Sequence, residues 1–91
     1  MNDYVFVKKR ILVKLVNLRM WGGKHTEIRN LSKGFPDNFL SRRENQKLLQ
    51  KVIKDLMNEE ILLAKKSTGE IHISLNPRKI SEIKNFIENA D

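Results

Sequence analysis

The sequence predicts a mainly α-helical domain with a small β-hairpin, and three observations predict it. Segments 4–20 and 41–58 place their apolar residues at the helical period. Beyond Glu60 the period drops to two, the spacing of a half-buried strand. With 91 residues, and no Pro-, Gly- or Ser-rich linker or internal repeat to divide them, positions 1–91 read as one domain.

The first helix is predicted over about 4–20. Ile11, Leu12, Leu15, Val16 and Leu18 share one arc, and Lys9, Arg10, Lys14 and Asn17 the opposite one. Gly22-Gly23 is the expected stop, since a left-handed helix cap favours glycine. Lys24-His25 has room only for a short strand or extended bridge. Thr26 is the expected N-cap of a second helix over about 26–33, with Glu27 favourable in its first turn. Ile28 and Leu31 are its buried pair, and Gly34 closes it ahead of Phe35-Pro36. Ser41-Arg42-Arg43-Glu44 has the S-x-x-E form of a capping box, opening a third helix over about 41–58. Leu48, Leu49, Val52, Ile53, Leu56 and Met57 form its apolar stripe.

Residues 61–75 read as two strands, Ile61–Lys66 and Ile71–Leu75. Gly69 sits where a type I turn with a bulge wants a left-handed residue. His72 is expected on the outer face, opposite Ile71 and Ile73. Asn76 as N-cap and Pro77 at the first helical position open a last helix over about 77–89. Its apolar face carries Ile80, Ile83, Phe86 and Ile87.

Eighteen Lys and Arg against eleven Asp and Glu give a net charge of +7, an excess that calls for a polyanionic partner. The basic residues are blocked: six against one acidic residue over 1–24, five against two over 41–58 and four against one over 61–79. The last twelve residues are acidic instead. On the 41–58 helix, Arg43, Lys47, Gln50, Lys51 and Lys54 lie opposite the apolar stripe, with Arg42, Asn45 and Gln46 in the first turns.

This order of elements, the Thr26 and Ser41 caps and the Lys65 to Glu70 hairpin resemble the winged helix-turn-helix DNA-binding domain. The resemblance spans Tyr4 to Asn89 and implies a three-helix core, a two-stranded wing and a C-terminal helix. The Lys-, Ile- and Asn-rich, Cys-free composition looks like that of small archaeal regulators of this type. The resemblance puts the 41–58 helix in the major groove and the wing on the adjacent backbone. Arg suits guanine and Gln or Asn suits adenine, so Arg42, Asn45 and Gln46 in the first turns are the expected base-reading residues, with Arg43, Lys47 and Gln50 on the side a groove would see. Lys51, Lys54, Lys65, Lys66, Ser67 and Thr68 suit phosphates. Thr26, at the head of the second helix, is a further phosphate candidate.

The expected function is therefore a transcriptional regulator binding double-stranded DNA by occupancy. Two alternatives stand beside it: a winged-helix protein-interaction module in a transcription or replication assembly, and a nonspecific architectural nucleic-acid-binding protein. Ile80, Ile83, Phe86 and Ile87 are the expected interface of a homodimer, which would present two reading helices to successive grooves.

Other classes find no support. Without Cys there is no disulfide framework and no thiolate zinc site. A metal site needs three or four converging ligands, so His25 and His72 read as structural or exposed, with no metal or cofactor expected. No nucleophile–base pair, Gly-rich phosphate loop or Walker lysine marks an enzyme, and no small-molecule substrate is evident. Apolar runs stop at four residues, against about 20 for a membrane helix. The N-terminus lacks a signal-peptide layout, so the expected location is cytoplasmic.

Overall fold

A computed structural model describes residues 2–90, which leaves Asp91 of the acidic terminus outside. Helix α1 spans Asp3–Asn17, and its N-cap is Asn2, whose side chain accepts from the Val5 amide at 2.8 Å. The chain leaves α1 through a Schellman turn: the Arg19 amide bonds Val16 O and the Met20 amide bonds Leu15 O, each at 3.0 Å. The left-handed position of that turn is Arg19, φ 57°, three residues before the glycines expected to fill it. Gly22 has a different task. It passes beside Leu75, to whose carbonyl its amide donates at 3.0 Å, and a Cβ there would meet Pro77 Cγ at 3.3 Å.

The second predicted helix is the largest correction. Thr26–Glu27 is a strand, β1, and only Ile28–Ser32 is helical, as a short 3₁₀ segment. In a 3₁₀ turn residues three apart lie on one side, so Ile28 and Leu31 still face inward, Leu31 fully buried. Thr26 is therefore no N-cap; its Oγ1 accepts from Asn30 Nδ2 at 2.9 Å.

Helix α2, Arg43–Asn58, begins two residues later than predicted. Its N-cap is Arg42, and the capping box is not made: Ser41 Oγ donates to Asn38 O at 2.7 Å, back into the preceding turn. The same turn is held by Asn45 Nδ2 donating to Phe39 O at 2.8 Å and Gln46 Nε2 donating to Leu40 O at 2.6 Å. A second Schellman turn ends α2. Glu60 is its left-handed residue, φ 59°, and the Ile61 amide returns to Leu56 O at 2.9 Å.

Strands β2 (Leu62–Ser67) and β3 (Glu70–Leu75) pair antiparallel from Leu62 opposite Leu75 to Ser67 opposite Glu70. The register leaves no bulge. Thr68 and Gly69, φ 45° and 81°, form the two-residue turn, which carries the positive φ pair of type I′ in place of the predicted type I turn with a bulge. β1 adds to the free side of β3, with Thr26 opposite Ile73 and Glu27 opposite His72, so the sheet has three strands in the order β1-β3-β2. The domain is thus α+β, not mainly α with a lone hairpin. The β-branched Thr26 in extended backbone opposite Ile73 is the local reason. A 3₁₀ turn at Pro77–Lys79, with the Asn76 side chain accepting from the Arg78 amide at 3.0 Å, leads into α3, Ile80–Asn89.

Helix α1 packs against α2, α3 and β3. Its Val7, Ile11, Leu12 and Leu15 meet Leu49, Val52 and Leu56 of α2, Ile61 and Leu62, Ile73 and Leu75 of β3, and Ile83 of α3 in one buried cluster. Ile73 is fully buried while Ile71, two residues toward the hairpin tip, is 43% exposed. The expected alternation does not hold: Ser74 is buried and His72, expected outward, is half-buried beside β1, so burial rises along β3 away from the tip and does not switch face by face. Trp21 packs at the core margin beside Leu75. Among the described residues no helix is long and apolar enough to cross a membrane.

Candidate nucleic-acid interface

Burial of Leu49, Val52 and Leu56 fixes which arc of α2 meets solvent. Arg43, Lys47, Gln50, Lys51 and Lys54 are all exposed on it, as are Arg42 and Gln46 at its start. Two of these cations have carboxylate neighbours, Arg42 with Glu44 at 3.7 Å and Lys51 with Asp55 at 3.4 Å. Both pairs are largely solvated and so contribute little to stability. Among the described residues, Arg43, Lys47 and Lys54 pair with no carboxylate.

The first turn of α2 is built differently from its helical-wheel picture. Asn45 is buried and its amide is spent on Phe39 O, so it is a structural residue. Gln46 reaches solvent, but its amide nitrogen holds Leu40 O. These two side chains shape the turn that presents α2, and they leave Arg42, Arg43 and Glu44 as the outward polar groups there.

On the hairpin, Lys65, Lys66 and Thr68 are exposed and Ser67 is half-buried. Lys65 lies opposite His72 and Lys66 opposite Ile71; successive strand residues alternate faces, so the two ammoniums leave the sheet on different sides. Thr26, in β1 and half-buried, has no helix N-terminus to offer a phosphate.

Of the four expected interface residues, Ile83 is only 1% exposed and belongs to the chain's own core, so it cannot meet a partner. Phe86 and Ile87 are half-buried against that core, and Lys8 Nζ lies 4.4 Å from the Phe86 ring centre. Ile80, 42% exposed, alone keeps a large free surface.

One association escaped the sequence. His25 Nδ1 and His72 Nδ1 are 2.8 Å apart, with ring centres at 4.7 Å. Such a contact needs one nitrogen carrying hydrogen and the other presenting its lone pair. The signal was the β1–β3 register: with Glu27 opposite His72, His25 is the diagonal neighbour of His72 on the same face. Among the described residues no cluster of three or more His, Cys, Asp or Glu gathers to hold a metal.

Comparison with known proteins gives no relative: no protein-family model, curated protein or solved structure matches this chain.

Proposed function

We propose that the protein is a winged helix-turn-helix DNA-binding domain that acts as a transcriptional regulator by occupying its site. α2 lies in the major groove and the β2–β3 hairpin rests on the backbone. The observation that carries the reading is the exposed row Arg43, Lys47, Gln50, Lys51 and Lys54 on α2. Four cations and an amide on one helical face suit a groove lined by phosphates and base edges. The hairpin after α2 and the β1-β3-β2 sheet support the wing, with the 3₁₀ segment Ile28–Ser32 standing where the resemblance expects a second helix.

The test is a salt titration of binding to random duplex, single-stranded DNA and double-stranded RNA. Duplex affinity should fall steeply with salt. Changing Lys65 and Lys66 together to Ala should weaken all duplexes alike and flatten the salt slope by about one unit, since the two ammoniums leave the sheet on different sides and one of them faces the backbone. Arg43→Ala should relax preference at particular base pairs. No duplex affinity at low salt overturns the reading.

A second reading, a protein-interaction module, draws on a groove of about 440 Å³ between the 3₁₀ segment and α2. Its floor is Ile28, Leu49, Ile53 and Met57, and Arg29 and Lys54 stand at its rim. An apolar helix fits such a groove. Duplex binding unaffected by Met57→Lys would assign the groove no part in DNA reading.

A further inference from the structure

The largest basic block of the chain lies on α1 and its exit, outside α2 and the hairpin in sequence. Part of it surrounds a cleft of about 700 Å³ between α1 and the 31–35 segment, within the range of small-molecule pockets. The cleft's apolar lining is Phe6, Val13, Leu31 and Phe35, and its charged lining is Lys9, Arg10, Lys14 and Lys33, with no carboxylate.

We infer that this cleft binds a small apolar anion, an aliphatic or aromatic carboxylate whose hydrocarbon part lies on Phe6, Val13 and Phe35 and whose carboxylate meets Arg10, Lys14 and Lys33. Two of these cations, Arg10 and Lys14, are held in position by backbone carbonyls. Lys14 Nζ donates to Asn30 O and, at 2.9 Å, to Lys33 O. The Arg10 guanidinium donates to Gly34 O and lies 5.8 and 5.7 Å from the Phe6 and Phe35 ring centres. Among the described residues no carboxylate pairs with Arg10, Lys14 or Lys33. Among the described residues the positive charge is therefore uncompensated beside an apolar wall. Burial, and then the charges of Lys33 and Arg10, push the Lys14 ammonium below its ordinary value. A carboxylate would relieve that repulsion through charge-assisted bonds, and its tail would leave water for the aromatic wall. A bare phosphate makes no use of the wall, and a neutral hydrocarbon makes none of the cations. The inference stands apart from the DNA reading, which uses other surfaces.

The experiment is a titration of the full chain, followed by amide NMR shifts, with octanoate, octan-1-ol, octylammonium and acetate in turn. Octanoate should saturate at one site and move the amides of residues 10–17 and 31–35. Octanol and acetate should bind at least about tenfold more weakly, the loss expected for one charge-assisted contact or its apolar counterpart. Octylammonium should not bind. Lys33→Gln, at an exposed turn position, should weaken octanoate about tenfold while leaving the remaining spectrum in place. Val13→Trp should fill the cleft and remove binding. Equal affinity for octanoate and octanol overturns the proposal, as do shifts centred on the Ile28–Leu49 groove or an unchanged affinity in Lys33→Gln.

Discussion

The Tyr4 hydroxyl donates to Asp55 Oδ2 at 2.6 Å, joining the first turn of α1 to the last turn of α2 across 51 positions of sequence. Lys51 Nζ reaches the same oxygen at 3.4 Å. The bond fixes how α2 lies across α1, and hence where its basic row points. Tyr4→Phe should lower stability only modestly for the loss of a bond to a charged acceptor, because both side chains reach solvent. Urea denaturation at neutral pH measures it.

The same pair sets the pH limits of that contribution. Burial, then the bond to Asp55, pushes the Tyr4 hydroxyl up to about 12. The folded state therefore keeps a proton that the unfolded tyrosine loses near 10. The stabilisation is complete below that value and is lost as pH rises toward 12. Asp55 runs the other way. Its bond to Tyr4, helped by Lys51 against an opposing effect of burial, holds its carboxyl below the usual carboxylate range. Its share is present above the unfolded value near 4 and disappears as pH falls through the folded one. Stability of the native chain relative to Tyr4→Phe should therefore form a plateau bounded at both extremes. A difference that does not change between neutral pH and pH 12 would remove the hydrogen bond from the account.

Asn45 and Gln46 should separate from the basic row on mutation. Asn45→Ala removes a buried amide and leaves Phe39 O without its donor, at a cost of about 1–2 kcal/mol. Neither Asn45→Ala nor Gln46→Ala should alter base preference in a duplex selection, whereas Arg43→Ala should. A shift in preference for Gln46→Ala would return it to the reading set.

The His25–His72 contact ties the entry of β1 to β3, and a double-mutant cycle with His25→Ala and His72→Ala isolates it. One shared hydrogen bond predicts a coupling of about 0.5–1.5 kcal/mol in thermal or urea unfolding. Additive single effects would mean that the rings are neighbours without a bond.

What the sequence disclosed was what local periodicity encodes. The apolar stripe of α2, the hairpin, the Asn76-Pro77 start of α3 and the outward position of Arg43, Lys47 and Lys54 all follow from spacing along one segment. What it hid depended on residues far apart. β1 is two residues long, and only its pairing with Ile73 and His72 makes it a strand. That pairing also took Thr26 from the second helix and brought His25 to His72. Capping motifs misled for a related reason. Ser41 and Glu44 satisfy the pattern, but α2 starts from Arg42, so Ser41 lies outside the helix with its hydroxyl turned back to Asn38 O and Glu44 stands one position too early to close the box. The face of α3 could not be divided between self-packing and association until α1 was seen to cover Ile83.

Both long helices end on a left-handed residue that is not glycine, Arg19 and Glu60. An L residue there carries a steric cost of about 1–2 kcal/mol, of which glycine recovers part after its greater loss of chain entropy. Arg19→Gly and Glu60→Gly should each stabilise the fold by about 0.5–1 kcal/mol, a rise in Tm of about 2–8 °C for a domain this small. The Schellman bonds to Leu15 O and Leu56 O use backbone only, so neither change removes them. Gly22→Ala should act in the opposite sense. Its φ is also positive, at 58°, and the added Cβ would press on Pro77 Cγ at 3.3 Å as well. It should destabilise by about 1–2 kcal/mol. A neutral Gly22→Ala would show that Pro77 yields, and a destabilising Glu60→Gly would show that the Glu60 side chain itself contributes to the turn.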